Sequence, residues 1–200
     1  LTPAFRDEDP VAFFASTCHV TDVGGRGFTA DAGSMFEEGV LIPHMRIRSA
    51  GTLNDDLLGI IQANSRNPVE VMGDIRSLLS CNDAGVARFA DMLDEFGLDS
   101  LDDLSRHIIE SSVTAMRQAI HSVPDGVYSA QMTIDGYEKP IALEARLTVD
   151  KERIHLDYSG SSSASRFGIN SPKCYTDAYS VFGLKCVIAP DVPNNAGSLG

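Results

Sequence analysis

The spacing of apolar residues changes twice along the chain and divides it into three stretches. In the first stretch, residues 1–52, an apolar run predicts a strand over 11–17, and a glycine-rich loop follows it. Residues 39–47 are predicted to form a second extended segment, which Pro43 interrupts because proline cannot donate a hydrogen bond to a neighbouring strand. This stretch therefore combines short extended segments with a long loop.

Helical periodicity takes over in residues 53–122. Asn54 is placed to cap a first helix, and the acidic residues after it favour the positive end of the helix dipole. Asn67 and Pro68 are typical of the start of a second helix, and Gly97 is typical of its end. A third helix follows, and each helix carries an apolar stripe, so the pattern predicts a helical layer.

The apolar period falls to two in residues 123–200. Alternating runs over 128–134, 141–149 and 154–158 predict an antiparallel three-strand meander with one apolar face. A serine-rich loop and a helix over 174–188 follow. Helices segregated from antiparallel strands indicate the α+β class, and we expect the three stretches to be parts of one domain.

Composition narrows the choice of partners and compartment. The 200 residues are 43% apolar, which is enough for a core, and they carry a net charge of −12. An acidic surface repels phosphate backbones and anionic membranes, so neither nucleic acid nor a membrane is an expected partner. Four cysteines without CxxC spacing, and no signal-peptide pattern, indicate reduced thiols in the cytoplasm. The chain lacks a starting methionine, and we expect an internal fragment of a larger subunit.

Candidate chemistry is concentrated in CHVTDVGGRG, residues 18–27. His19 and Asp22 lie three residues apart, so in a turn both side chains can face one cation, and His44 is a natural third ligand. Two histidines and one carboxylate leave coordination positions open for water or substrate. An ordinary alternative remains open, in which Asp22 caps a turn and His19 is a hydrogen-bonded loop residue, because short HxxD patterns arise often by chance.

Other candidates carry less chemistry. His155 and Asp157 share the polar face of a predicted strand, where they either support a site or are solvated. Cys18 is expected to be a small buried thiol rather than a nucleophile. The GGRG segment is not followed by the Lys-Ser or Lys-Thr of a phosphate loop, so we expect no nucleotide site in this chain.

A series of short segments occurs in an order that is typical of one protein family. The segments are HVTDVGG (19–25), EEGVLIP (37–43), NSRNPVEVMGDIR (64–76), VPDGVY (123–128), LDYSGSS (156–162), GIN (168–170) and DVPNNAG (191–197). Through them the chain resembles the hydantoinase B/oxoprolinase family, which comprises the B-type subunits of ATP-dependent N-methylhydantoinases and the corresponding half of 5-oxoprolinases. Acetone and acetophenone carboxylases have related subunits. The resemblance extends over nearly the whole chain.

The resemblance implies a metal site and a partner subunit. In the related carboxylases an HxxD pair and a later histidine hold a divalent metal, and this pattern carries over to His19, Asp22 and His44. Zinc, manganese and iron all accept such ligands. ATP and magnesium are bound by an A-type partner with an actin-like ATPase fold, which accounts for the missing phosphate loop. We therefore expect a hetero-oligomer that acts on a small cyclic amide.

The resemblance also implies an activity, that of an ATP-dependent amidohydrolase. In the hydrolase branch the partner phosphorylates the oxygen of a ring amide, and the B-type subunit supports attack by water, for which a metal-bound water is suited. No catalytic residue is assigned by the resemblance. Residues of the matching segments that are expected to bind substrate are Gly24, Gly25, Asn64, Arg66, Asp74, Arg76, Asp157 and Asn170.

Three alternative functions remain at the level of sequence. The first is a ketone carboxylase subunit, which shares the metal pattern but uses a ketone with carbon dioxide or bicarbonate. The second is a non-catalytic scaffold subunit whose metal is structural, with four ligands and no open position. The third is an iron oxygenase with two histidines and one carboxylate, but the long helical layer argues against that fold.

Overall fold

The computed structural model describes residues 1–27 and 29–199, and the chain divides into two compact units. The first unit is Leu1–Leu101 and the second begins at Asp102. This division differs from the predicted boundaries at 52 and 122, because the predicted helical layer is shared between the units. Its second helix packs with its first helix and with the strands of the first unit, and its third helix packs with a strand and a helix of the second.

The first unit is built around one long helix. Its elements are strands β1 (Thr2–Arg6), β2 (Asp9–Phe14), β3 (Arg48–Ser49) and β4 (Thr52–Leu53), a 3₁₀ turn (Met35–Glu37), and helices α1 (Asp55–Ala63) and α2 (Pro68–Phe96). Strands β1 and β2 form an antiparallel hairpin that packs on α2. Phe14 of the hairpin lies edge-on to Phe89 of α2, with ring centroids 6.0 Å apart. Gly85 leaves the room for that contact, since a Cβ there would lie 2.4 Å from the Phe14 ring.

The helix ends of the first unit follow three of the four sequence signals, since the Asn67 side chain before α2 makes no capping hydrogen bond. The Asn54 side chain accepts a hydrogen bond from the Leu57 N–H at 3.0 Å, which confirms it as the cap of α1. Pro68 occupies the first turn of α2, and Gly97 ends that helix in the left-handed conformation with φ +62°. These capping and terminating residues therefore predicted where both helices lie.

Two strand predictions in the first unit need correction. The predicted strand over 11–17 is the shorter β2, and its partner β1 was not predicted. The predicted extended segment over 39–47 contains no strand. Its backbone instead hydrogen-bonds to a distant loop, with the Val40 N–H donating to the Val23 carbonyl at 2.9 Å.

The second unit joins helices to an antiparallel sheet, as predicted. Its elements are α3 (Asp102–His121), β5 (Gly126–Ile134), β6 (Ile141–Asp150), β7 (Arg153–Asp157), α4 (Lys173–Ile188) and α5 (Ala196–Leu199). The strand order is β5-β6-β7, and the register places Tyr128 opposite Leu147 and Leu147 opposite Leu156, which confirms the single apolar face. Helix α3 packs against β7 and α5. Among the described residues, no helix is long and apolar enough to cross a membrane.

Candidate functional site

The three predicted metal ligands lie in the long connection between β2 and β3. His19 and His44 are exposed there, whereas Asp22 is buried, with 5% of its side chain accessible to solvent. A buried carboxylate needs hydrogen bonds and an opposite charge to offset the loss of water. The hydrogen-bond and ion-pair partners of the Asp22 carboxylate therefore determine whether this residue is free to bind a ligand.

Asp22 is held by a set of residues that we call the Asp22 clamp, namely Asp22, Gly24, Ser65 and Arg66. The Arg66 guanidinium donates from Nη2 to Asp22 Oδ1, and from Nε to Oδ1 at 3.1 Å. The backbone N–H of Arg66 donates to Oδ2, and that of Gly24 donates to Oδ1 at 3.2 Å. The Ser65 hydroxyl lies 3.5 Å from Oδ2. The two carboxylate oxygens thus join the glycine loop to the turn between α1 and α2.

The clamp keeps Asp22 ionised. Hydrogen bonds from the Arg66 side chain, and next from its backbone N–H, hold the pKa of the Asp22 carboxyl well below its usual range. Burial acts in the opposite direction and is outweighed. The other side of the pair is open to solvent, since 62% of the Arg66 side chain is exposed.

The glycines after Asp22 allow two backbone segments to touch. Gly25 has φ +65°, and a Cβ there would lie 2.5 Å from the Glu37 carbonyl oxygen. The Arg26 N–H donates to that same carbonyl at 3.0 Å, and the Arg26 side chain pairs with the Glu37 carboxylate at 2.8 Å. The segments HVTDVGG and EEGVLIP are therefore fastened side by side, which explains why both carry glycine.

The segment NSRNPVEVMGDIR supplies the third part of the same structure. Asn64 ends α1, and its carbonyl oxygen would lie 3.0 Å from a Cβ on Gly24. Of the predicted substrate residues, Gly24, Asn64 and Arg66 are thus brought together around Asp22. Asp74 and Arg76 lie further along on α2, where Asp74 is half-buried and Arg76 is exposed.

Asp157 and Asn170 belong to the second unit and shape the loop after β7. Asp157 accepts a hydrogen bond from the Ser159 N–H at 2.8 Å, and hydrogen bonding with Ser159 lowers the pKa of the Asp157 carboxyl, against the effect of burial. The Asn170 side chain accepts from the Ser165 N–H at 2.7 Å and donates to the Ser165 and Phe167 carbonyls. Both side chains hold local loop structure, and their substrate-binding roles stay predictions.

One buried cation in the second unit was missed by the sequence analysis. Lys185 of α4 is 6% exposed, and its Nζ donates to the Val192 carbonyl at 2.5 Å and to Asn194 Oδ1 at 2.6 Å. We call these three residues the Lys185 clamp. They fix the segment DVPNNAG, where Asn195 also donates to the Ser112 hydroxyl of α3 at 2.7 Å. The sequence did contain a signal for this buried cation, because Lys185 lies among apolar residues near the end of the predicted helix.

Several of the ordered segments thus contact one another or a neighbouring element within their own unit. A family model described as Hydantoinase B/oxoprolinase matches residues 1–200. The chain belongs to the hydantoinase B/oxoprolinase family. The resemblance predicted from the ordered segments is thereby confirmed.

Relatives of this family member include curated proteins and solved structures. A putative D-/L-hydantoinase from Pseudomonas sp. (strain NS671) has a B-type subunit that is 27% identical over 171 residues, which cover 80% of this chain and 29% of that protein. The ATP-dependent caprolactamase from Pseudomonas jessenii has a TM-score of 0.78 at 22% identity, over 90% of this chain and 32% of that chain. Nucleotide-free acetone carboxylase also gives 0.78, at 18% identity, over 90% of this chain and 26% of that chain.

These comparisons establish the fold and the family. At such identities the two solved structures confirm the predicted α+β fold with antiparallel strands. The chain spans from 16% to 35% of the length of the first curated relatives that it matches. We therefore assign the activity of the longer family members to this chain as a proposal.

The metal site implied by the family resemblance is not assembled in this structure. Within residues 1–27 and 29–199, no group of three or more histidine, cysteine, aspartate or glutamate side chains is placed to hold a metal ion. Arg66, and not a histidine, is the partner of the Asp22 carboxylate. The ligand set His19, Asp22 and His44 stays a prediction, and in the present arrangement these residues do not fit a metal.

Two smaller outcomes concern the other candidates. Cys18 is exposed, so the expectation of a buried thiol was wrong. His155 is also exposed, on β7, which agrees with the solvated alternative. Neither residue adds to the Asp22 clamp.

Proposed function

We propose that this chain is part of the B-type subunit of an ATP-dependent hydrolase of cyclic amides. The observation that carries the proposal is the match of residues 1–200 to the hydantoinase B/oxoprolinase family. The names of its relatives point the same way, because hydantoins, 5-oxoproline and caprolactam all contain an amide within a ring.

The chemistry explains why such a hydrolase needs ATP and a second subunit. An amide is a poor electrophile, and transfer of the γ-phosphoryl group to its oxygen makes the ring carbon open to attack. Water adds to that carbon, the ring C–N bond breaks and the nitrogen leaves as an amine after taking up a proton. The acyl phosphate that results is hydrolysed to a carboxylate and inorganic phosphate. An A-type ATPase partner would supply the phosphoryl group, in agreement with the "subunit" names of two relatives.

The role we assign to the Asp22 clamp is to position the loop that faces this reaction. The clamp joins two of the ordered segments through Asp22 and Arg66, and the close approach at Gly25 next to it brings in the third. A loop held in one conformation keeps reacting groups within the narrow range of geometry that catalysis needs. Binding of the cyclic amide at this loop, in a hetero-oligomer, is part of the proposal.

A ketone carboxylase subunit is the second candidate, because acetone carboxylase has the same TM-score as the caprolactamase. A shared fold hosts different chemistries, so the fold does not separate the two candidates. The names of the curated relatives favour the hydrolase, since hydantoins, 5-oxoproline and caprolactam are all cyclic amides. We therefore place the hydrolase first.

The test is substrate-dependent ATP turnover by the full-length protein, purified together with its A-type partner. We expect ATP hydrolysis to rise with hydantoins, 5-oxoproline or caprolactam and not with acetone or acetophenone plus bicarbonate. The reverse pattern would replace the hydrolase by the carboxylase.

A matched pair of variants tests whether this chain contributes to turnover. Asp22→Asn removes the charge at the centre of the clamp, whereas Asp83→Asn removes an exposed carboxylate that pairs with Arg48 elsewhere in the first unit. We expect turnover to fall in the first variant and to stay at the wild-type rate in the second. Equal rates in both, with the complex intact by gel filtration, would favour the scaffold subunit.

A further inference from the structure

Helix α4 of the second unit carries a row of aromatic side chains on one side, which we call the α4 stripe. The stripe consists of Tyr175, Tyr179, Phe182 and Cys186, whose spacing of four, three and four residues places them on one face of a helix. We propose that the α4 stripe is the docking surface for another helix of the same subunit, from outside residues 1–200. This inference is independent of the reaction that the subunit catalyses.

The α4 stripe is exposed and continuous. Tyr175, Tyr179 and Phe182 are 54%, 58% and 58% exposed, and the Cys186 thiol is exposed as well. The rings of Tyr175 and Tyr179 are stacked with centroids 4.4 Å apart, and those of Tyr179 and Phe182 meet edge-on at 6.4 Å. The three rings therefore form one uncharged ridge along the helix.

The opposite side of α4 faces a cavity between α4, α3 and β7, and it is less apolar than the stripe. The residues of α4 that line this cavity are Thr176, Asp177, Ser180, Val181, Leu184 and Ile188. Half of them are polar. A surface helix shows the reverse arrangement, with its apolar face towards the core and its polar face towards water. The residue pattern of α4 is therefore that of an internal helix, which needs a second packing layer over the stripe.

The area of the stripe indicates what kind of chain covers it. An aromatic side chain buries about 150–250 Å², so three rings that are each more than half exposed offer roughly 250–425 Å². A stable complex between separate chains buries about 800 Å² on each partner. The stripe is thus too small to hold a second copy or a partner subunit by itself. A segment of the same polypeptide needs less area, because the covalent link gives it a high effective concentration.

The longer relatives contain enough chain to supply such a segment. This chain covers 29% of the matched B-type hydantoinase subunit and 32% of the caprolactamase chain, so more than two thirds of each lies outside the matched region. The spacing of the stripe favours a helix as the occupant, because such a ridge fits the groove between side chains of a second helix. From Tyr175 to Cys186 the stripe is about 16 Å long, which calls for apolar residues over about three turns of the covering helix.

The experiment identifies the occupant by photo-crosslinking in the full-length protein, purified without its A-type partner. The photoreactive amino acid p-benzoylphenylalanine replaces Phe182, and the irradiated protein is digested and analysed by mass spectrometry. We expect crosslinks to peptides from outside residues 1–200 of the same polypeptide, in a yield that does not depend on protein concentration. The same amino acid at Lys173, which is exposed at the start of α4, is the matched control and should give little crosslinked product.

Cys186 provides a second readout that leaves the aromatic rings unchanged. A buried thiol is unreactive, so N-ethylmaleimide should modify Cys186 of the full-length protein at least about tenfold more slowly than in the urea-unfolded protein. Tyr179→Lys places a charge in the middle of the stripe and should restore most of the lost rate, because burial of an unpaired charge is costly. Lys173→Ala is the control and should leave the slow rate unchanged.

Each outcome names a different occupant of the stripe. Crosslinks to segments outside residues 1–200, together with slow modification of Cys186 in the absence of the partner, are the result that the proposal requires. Crosslinks to the A-type partner, or protection of Cys186 only in its presence, would assign the stripe to the subunit interface and overturn the proposal. Crosslinks within residues 1–200, or between two copies in a mixture of isotope-labelled and unlabelled protein, would overturn it as well. Rapid modification of Cys186 without any crosslink would show that the stripe is a free surface, which also contradicts the proposal.

Discussion

Each unit of the molecule fixes a family segment with one buried charge, but the two charges are satisfied in different ways. In the first unit Asp22 is an anion that meets a full opposite charge on Arg66. In the second unit Lys185 is a cation that meets a backbone carbonyl and a side-chain amide oxygen. Both charged residues hold a loop against a helical element, so the two clamps differ in the chemical nature of the partner and not in their structural role.

The two clamps also differ in where the partner of the buried charge lies in the chain. The partner of Asp22 is a side chain that lies largely in solvent and belongs to a different segment of the chain. The partners of Lys185 are atoms of the very segment that it holds, so they cannot leave without unfolding that segment. The Asp22 clamp therefore joins two segments that are distant in sequence, whereas the Lys185 clamp closes one continuous segment.

The largest loss of stability is expected from a substitution at Gly25, where two loop segments are in close contact. Gly25→Ala combines a positive φ with a Cβ 2.5 Å from the Glu37 carbonyl oxygen, and should destabilise the protein by roughly 3 kcal/mol or more. Gly27→Ala is the control, because φ is +82° there but nothing lies within 4 Å of the Cβ, so the cost should be about 1 kcal/mol. Equal losses in urea unfolding would mean that the two loop segments are not in close contact.

The next largest effect is expected at the Lys185 clamp. Lys185→Met fills a similar volume but leaves the Val192 carbonyl and the Asn194 amide oxygen without their donor, which costs about 1–3 kcal/mol. Lys173→Met, at the exposed start of the same helix, should change stability by less than about 0.5 kcal/mol. If both variants unfold at the same urea concentration, Lys185 does not hold the segment.

The smallest effect is expected in the pH dependence of stability, which should differ between variants of the two clamps. The folded-state pKa of Asp22 lies below its ordinary value of 3.8, so its ionised form stabilises the protein above that pH. This stabilisation is lost as pH falls through the folded pKa. Asp22→Asn should therefore show a weaker decline in stability below about pH 4 than the wild type, in melting curves taken at a series of pH values. Lys185→Met, which keeps Asp22, should decline like the wild type, and parallel curves for all three proteins would refute the role of Asp22.

The elements that sequence periodicity predicted well are those whose stabilising contacts are local. The caps at Asn54 and Gly97 and the alternation in β5, β6 and β7 were all found as predicted. The segment 39–47 was misjudged, because its backbone pairs with Val23 across a distance that no local pattern encodes. The strand β1 contains a proline and only five residues, too few to display a period.

The candidate site shows the same limit at the level of side chains. The HxxD spacing drew attention to Asp22, which is buried and whose carboxyl pKa is lowered by its hydrogen bonds to Arg66. It gave no sign that Arg66, 44 positions away, would bind it. A charge pair between distant segments leaves no periodic trace in the sequence, whereas Lys185 was marked by its position among apolar residues near the end of a predicted helix.

The most direct test of the central claim counts products in the complex of the full-length protein with its A-type partner. Ring-opened amino acid, measured by mass spectrometry, and inorganic phosphate should form in equal amounts from a cyclic amide and ATP, and neither should form when the partner is left out. Phosphate release without ring opening, or ring opening without ATP, would contradict the assignment of this chain to an ATP-dependent cyclic-amide hydrolase.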